Sequence, residues 1–201
     1  MKHTAHRASG IALAIASALV CAGAHAQAGK VVIGFLTDIA GPYGDLDGKN
    51  GALAIQMAIE AREWFDTQNM AMLVGGTNSA AALALAKLSA DRKRVFIVNG
   101  SGSSALTNEQ CTPYTIHYAW DSVAYAKVAG AALTKQGLKD WFFLTADYAF
   151  GQALEADANR VIKANGGRLV GSVRHPINNT DFSSFLLQAQ NSKAQVIGLA
   201  N

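Results

Sequence analysis

Short runs of β-branched and aromatic residues alternate along the chain with segments that are apolar at every third or fourth position. Val31 to Thr37 is apolar at successive positions, as a strand buried on both faces of a parallel sheet requires. A Gly-rich loop follows, and the helical spacing of Leu53, Met57, Ala61 and Trp64/Phe65 predicts a helix from about Asn50 to Asn69. Met70 to Val74 and Arg94 to Val98 read as strands flanking a helix over Ala80 to Ala90. A polar loop to about Pro113 leads to a strand at Thr115 to Ala119. Asp121 then supplies the side-chain oxygen that opens a helix to about Gln136, and Gly137 closes it. Trp141 to Thr145, Arg168 to Arg174 and Val196 to Ala200 are strands. The helices between them are Gln152 to Ala164, closed by Gly166-Gly167, and Asp181 to Gln190. Strands and helices alternating at this spacing predict βαβ units and an α/β class with parallel sheets.

The first residues break this rhythm. Lys2 and Arg7 precede an apolar run from Ile11 to Val20, and Ala24-His25-Ala26 closes it with small residues. That is the order of a secretory signal peptide cut after Ala26, and the apolar run is shorter than the roughly 20 residues a membrane span needs. Cys21 raises the lipoprotein alternative, but Val20 stands where a lipobox wants Gly or Ala. The expected product is exported and soluble, with residues 1–26 removed.

Charge changes with the leader. Without Lys2 and Arg7 the chain carries 15 basic residues against 14 acidic, so the basic balance of the whole sequence gives no support to a nucleic-acid partner. One cysteine remains, Cys111; a lone thiol makes no internal disulfide, and the expectation is a buried apolar filler.

Ligands of open α/β sheets bind beyond the carboxyl ends of the strands. Four loops fall there: Asp38 to Lys49, Gly75 to Ser79, Asn99 to Thr107 and Ala146 to Gly151. All are rich in Gly, Ser, Thr, Asn and Asp, which offer hydroxyls and N–H groups at helix starts suited to a carboxylate. Sharper motifs fail. Gly44 to Lys49 is one residue short of a phosphate loop, and Asn50 replaces its Ser or Thr. Gly100 to Ala105 fits a dinucleotide fingerprint with Asp121 about 20 residues on, but Cys111-Thr112-Pro113 prevents a long helix from opening there. His117 and His175 fall at no metal-ligand spacing with Cys111. The serines lack a G-x-S-x-G elbow. Asn178-Asn179-Thr180 is a glycosylation-type sequon and nothing more. No catalytic residue, metal or cofactor is expected.

Val32 to Gly44, Gly51 to Ile55, Thr77 to Ala80, Asn99 to Asn108 and Ala146 to Gly151 together resemble the leucine/isoleucine/valine-binding family. These are the type I periplasmic solute-binding proteins of ABC importers, and the similarity runs over nearly all of Lys30 to Asn201. The resemblance implies a two-lobed clamp of parallel α/β sandwiches, with residues 27–120 in lobe I and 121–201 in a partial lobe II. It implies that Asn78 and Ser79, then Gly100, Ser101, Gly102 and Ser103, hold a ligand's carboxylate and amine. It also implies an aromatic residue from lobe II over the ligand. The family's usual Tyr-Gly is Phe150-Gly151 here, with Tyr148 close by, and Asp121 matches an acidic position after the hinge strand. The implied function is capture of a small carboxylate-bearing solute, in the first place a branched-chain or other amino acid, with a short amide or aromatic acid as the alternatives. The implied partners are that small-molecule ligand and an inner-membrane ABC permease, in the periplasm. Two departures stand out. The chain ends at Asn201, about halfway through the family's length, and Glu60-Ala61 joins two helices between which the family has a strand. The competing classes are an exported α/β hydrolytic enzyme using Ser103 or Ser104, and a sensing receptor with the same clamp.

Overall fold

The computed structural model describes residues 33–36 and 53–201, with side chains from Met57 onward. The leader at 1–26 and the loop from Asp38 to Lys49 lie outside the described residues.

Two parallel sheets organise the chain. The first has the order β1-β2-β3-β4, built from β1 (Ile33–Leu36), β2 (Met72–Gly75), β3 (Val95–Val98) and β4 (Thr115–His117). Leu73 pairs with Gly34 on one side and Phe96 on the other. Helix α1 (Leu53–Thr67) connects β1 to β2 and runs unbroken through Glu60-Ala61, so the two strands pair directly. Helix α2 (Ser79–Asp91) connects β2 to β3. Met57, Ala61 and Phe65 of α1 meet Leu85 and Leu88 of α2 over Leu73 and Phe96, all buried. The i, i+4 spacing on α1 thus puts its apolar stripe on the sheet and its neighbour.

The second sheet has the order β6-β5-β7, from β5 (Asp140–Ala146), β6 (Arg168–His175) and β7 (Val196–Ala200). Strand β5 is central and buried from Trp141 to Ala146, which explains its unbroken apolar run. Trp141, Phe143, Ala158, Ile162 and Ala200 form the core beneath it. Helix α5 (Ala149–Ala164) leads from β5 to β6, and α6 (Ser183–Asn191) from β6 to β7.

Between the sheets the chain rises through a helical rod. Asp121 Oδ1 accepts the Ala124 N–H at 2.8 Å to open α3 (Ser122–Tyr125). The rod continues as a π-helical stretch, Ala126–Ala131, and ends as α4 (Ala132–Lys135). Gly137, at φ +98°, then turns the chain into β5. The expected single α-helix is therefore interrupted at its middle.

Two expectations need correction. Cys111 is exposed, not a buried filler. Its N–H donates to the Asn108 carbonyl at 3.1 Å, and Glu109, Gln110 and Thr112 around it give that turn no apolar face to bury. Helix α5 starts at Ala149 rather than Gln152, so Phe150 and Gly151 belong to its first turn.

Surface charge pairs fix the ends of elements. Arg92 Nε and Nη2 donate to the two carboxylate oxygens of Asp66 at 2.8 and 2.9 Å, joining the ends of α1 and α2. The Arg92 hydrogen bond holds the Asp66 carboxyl below its ordinary range. A depressed folded pKa contributes stability above the unfolded value, about 3.9, and loses it as pH falls through the lower folded value. Asp66→Asn should therefore flatten the loss of stability on acidification below about pH 4, read as urea midpoints against pH. Identical acid profiles for variant and parent would show that the pair does not hold in solution.

Candidate functional site

The carboxyl ends of β2, β3 and β5 open onto one end of a cleft of about 540 Å³, which continues along the helical rod to Leu133 and over the face of β5 and β7 as far as Trp141 and Val196. Its first wall begins where β2 ends. Gly76 adopts φ +85°, and a Cβ there would lie 2.9 Å from the Phe96 ring, so only glycine makes this turn at no steric cost. The turn delivers Asn78 as the N-cap of α2, its Oδ1 accepting the N–H groups of Ala80 at 3.0 Å and Ala81 at 3.1 Å. The capping bonds consume the Asn78 carbonyl oxygen. They leave the Ser79 N–H as a donor of the first turn without a bond among the described residues, at the positive end of the helix dipole.

Ser79 is buried and lines the cleft. Its Oγ accepts the Ser101 hydroxyl at 2.8 Å, which leaves its own hydroxyl proton to be donated elsewhere. The Ser101 carbonyl accepts from His117 Nε2 at 2.6 Å, which fixes the His117 proton on Nε2. Behind Ser79, the loop after β3 is therefore locked by hydrogen bonds.

That loop carries Gly100 and Gly102 into the cleft. Ser103 turns away from it and caps the short 3₁₀ turn Ser104–Leu106, its Oγ accepting the Ala105 N–H at 3.4 Å. The dinucleotide-like Gly100 to Ala105 run thus opens only one 3₁₀ turn.

The second wall is aromatic. Phe150 and Tyr148 come from the start of α5, and Trp120 and Tyr125 from the entry to the helical rod. Tyr148 and Phe150 lie with ring centroids 6.1 Å apart, and Trp120 and Tyr125 meet edge-on at 6.2 Å. Phe150 and Trp120 close on Gly102: a Cβ there would lie 2.6 Å from Phe150 Cε2 and 3.3 Å from Trp120 Nε1. Trp120 is 47 % exposed, and its indole N–H makes no hydrogen bond with a described residue.

Of the residues expected from sequence, Ser79, Gly100, Gly102, Tyr148 and Phe150 line the cleft together. Asn78, Ser101 and Ser103 stand behind the wall as caps and braces. Sequence reasoning did not assign Thr77, Trp120 and Tyr125 to the site, though all three line it. The available signal was Trp120, a large aromatic at a strand-to-helix junction, where burial in a core is not expected. No charged side chain lines the cleft among the described residues. No group of three or more His, Cys, Asp or Glu among the described residues is placed to hold a metal ion. His175 Nδ1 bonds the Pro176 carbonyl at 2.9 Å and its ring packs edge-on against Phe182. With His117 committed to a backbone carbonyl, both histidines among the described residues are occupied away from Ser103 and Ser104.

The family described as periplasmic binding protein matches residues 58–201. Among solved structures, the chain is similar to a periplasmic binding protein from Burkholderia mallei, at 52% identity and a TM-score of 0.77. That match covers 85% of this chain and 53% of the other. A branched chain amino acid ABC transporter periplasmic ligand-binding protein from Burkholderia xenovorans matches at 32% identity and a TM-score of 0.62, covering 83% and 52%. A solute binding protein of an ABC transporter from Rhodopseudomonas palustris, in complex with 3,4-dihydroxy benzoic acid, matches at 27% identity and a TM-score of 0.66, covering 75% and 41%. The chain thus spans about half the length, or less, of these solved relatives. No curated protein matches it.

Proposed function

The chain belongs to the periplasmic binding protein family, whose members bind solutes and are not enzymes, and from that premise we propose that it supplies one wall and part of the other of a solute clamp. The clamp serves an ABC importer and captures a small carboxylate with an apolar or aromatic body. The observation that carries this reading is the facing of two chemistries across one cleft. The Ser79 hydroxyl and N–H, with the loop at Gly100 and Gly102, stand opposite Phe150, Tyr148 and Trp120.

A carboxylate on the first wall gains hydrogen bonds to an ionised group, worth about 1.5–3 kcal/mol each. The rings of the second wall supply large apolar area and flat faces. Phe150, in place of the family's usual Tyr, presents a face without a hydroxyl, which suits an apolar or aromatic body. Capture proceeds by binding on the first wall, closure of the second, and recognition of the closed form by an inner-membrane permease. The chain reaches the periplasm by the leader at 1–26, and residues 27–120 and 121–201 are the parts of the two lobes.

The relative from B. xenovorans favours a second reading of the ligand, a branched-chain amino acid. Thermal unfolding of residues 27–201 with leucine, isoleucine, valine, glutamate, a short amide and 4-hydroxybenzoate separates the two. A binder at 100 times its dissociation constant adds about 2.7 kcal/mol, a rise of about 5–10 °C for a chain of this size. The expected riser is 4-hydroxybenzoate. A rise with leucine alone moves the ligand to the amino acids, and a flat response to every compound overturns capture by this chain.

A further inference from the structure

On the helix that carries Phe150 of the second wall, a buried acid lies where neither the fold nor the ligand reading calls for one. Asp157, on α5 seven residues after Phe150, is only 3 % exposed. Its Oδ2 accepts the Ser122 hydroxyl at 2.6 Å, and its Oδ1 pairs with Arg160 Nη1 at 2.9 Å. Ser122, fully buried at the start of α3, turns its other bonds toward the ligand loop. Its Oγ accepts the Ser104 N–H at 3.2 Å, and its N–H donates to the Gly102 carbonyl at 2.7 Å.

A carboxylate is expensive to bury unless its oxygens are satisfied. Here one oxygen is paired with Arg160 and the other polarises one serine, and that serine grips both ends of the Gly102 to Ser104 segment. Donating to a carboxylate makes the Ser122 oxygen a stronger acceptor for Ser104. The same helix that carries Phe150 against Gly102 therefore also fixes, two turns later, the loop on which Gly102 sits.

We infer that Asp157 is a positioning residue for ligand capture, acting through Ser122 to hold the Gly102–Ser104 loop against the aromatic wall. Its consequence for affinity rests on the binding reading above; its effect on the loop does not. The relay couples the two walls, so that displacement of α5 loosens the loop as well as moving Phe150.

Amide hydrogen exchange on residues 27–201 tests the relay without a ligand, comparing Ser104 with Leu144 in the central strand. In Ser122→Ala, where the Ser104 N–H loses its acceptor, and in Asp157→Ala, where that acceptor is no longer held and polarised by the carboxylate, Ser104 should exchange about tenfold faster or more. Leu144 should be far less affected, whereas a merely structural role for Asp157 would speed both amides alike. Asp157→Asn, which keeps an acceptor for Ser122, should restore most of the Ser104 protection. It also serves where the alanine variant does not fold. Equal acceleration of both amides, or an unmoved Ser104 in Ser122→Ala, overturns the inference. Binding of 4-hydroxybenzoate and of leucine is measured on the same proteins. If neither binds the parent chain, the capture reading fails while the exchange result still decides the relay.

Discussion

Gly151→Ala is expected to destabilise the chain by about 3 kcal/mol, the upper range for forcing atoms into a filled interior. A Cβ at Gly151 would fall on the Ala146 carbonyl oxygen and within 2.7 Å of the Ala200 carbonyl oxygen. Both obstacles are strand backbone at the ends of β5 and β7, so no side chain can rotate out of the way. The first turn of α5 would have to lift from the sheet, carrying Phe150 with it. Gly130→Ala is the matched control. It lies in the helical rod with its nearest neighbours, on Ile162 and Val161, at 3.6 and 3.7 Å. Relief of glycine's backbone entropy there should add about 0.5–1 kcal/mol. Urea unfolding of the two variants should thus give midpoints displaced in opposite directions from the parent. A Gly151→Ala protein as stable as the parent would show that α5 does not sit on the strand ends.

Gly151 also marks where sequence reasoning reached its limit. The alternation of strands and helices was legible because buried parallel strands and amphipathic helices carry different periods, as β5 and α1 show. The start of α5 was not, because Ala146 to Gly151 has the composition of a loop. Whether its last residues join the helix depends on how closely the turn can approach β5 and β7, a distance that no local pattern contains. The π-helical stretch at Ala126–Ala131 was hidden for a similar reason: Ala and Gly there specify no period. For Cys111 residue type favours burial, while its polar neighbours and the turn to Asn108 decide its exposure.

The site divides along the same line. Residue types suited to a carboxylate could be read at the strand ends, and Ser79, Gly100 and Gly102 do reach one cleft with Phe150 and Tyr148. Their division of labour could not be read. Asn and Ser are equally at home capping a helix or facing a ligand, and only the hydrogen bonds of Asn78 and Ser103 assign them to capping. The place of Trp120 in the cleft comes from meeting Gly102, 18 positions away in sequence, which no local pattern contains. The Asp157–Ser122–Ser104 relay is longer still in sequence and carries no motif.

Contact between the two walls yields the second large effect. Gly102→Ala should weaken ligand binding at least about tenfold, because the new methyl occupies the place of the Phe150 ring edge. The clash is with the far end of a side chain, 2.6 Å from Cε2 and 3.1 Å from Cδ2. The ring therefore swings aside, and the chain keeps most of its stability. What would be lost is the aromatic face that the proposed ligand would rest on. Phe150→Ala alone should also weaken binding, by removing that face. In the double variant the methyl has nothing left to displace, so the second substitution should cost much less than it does alone. The coupling expected for residues in direct contact is about 0.5–3 kcal/mol, measurable by calorimetry with the compound that gives the largest thermal rise. Strictly additive losses would mean that Phe150 does not touch Gly102 in solution and that the cleft is open where this structure has it closed. A coupling of the expected size would place the ligand's apolar body at that contact, with Gly102 kept bare so that the ring and the first wall can share it.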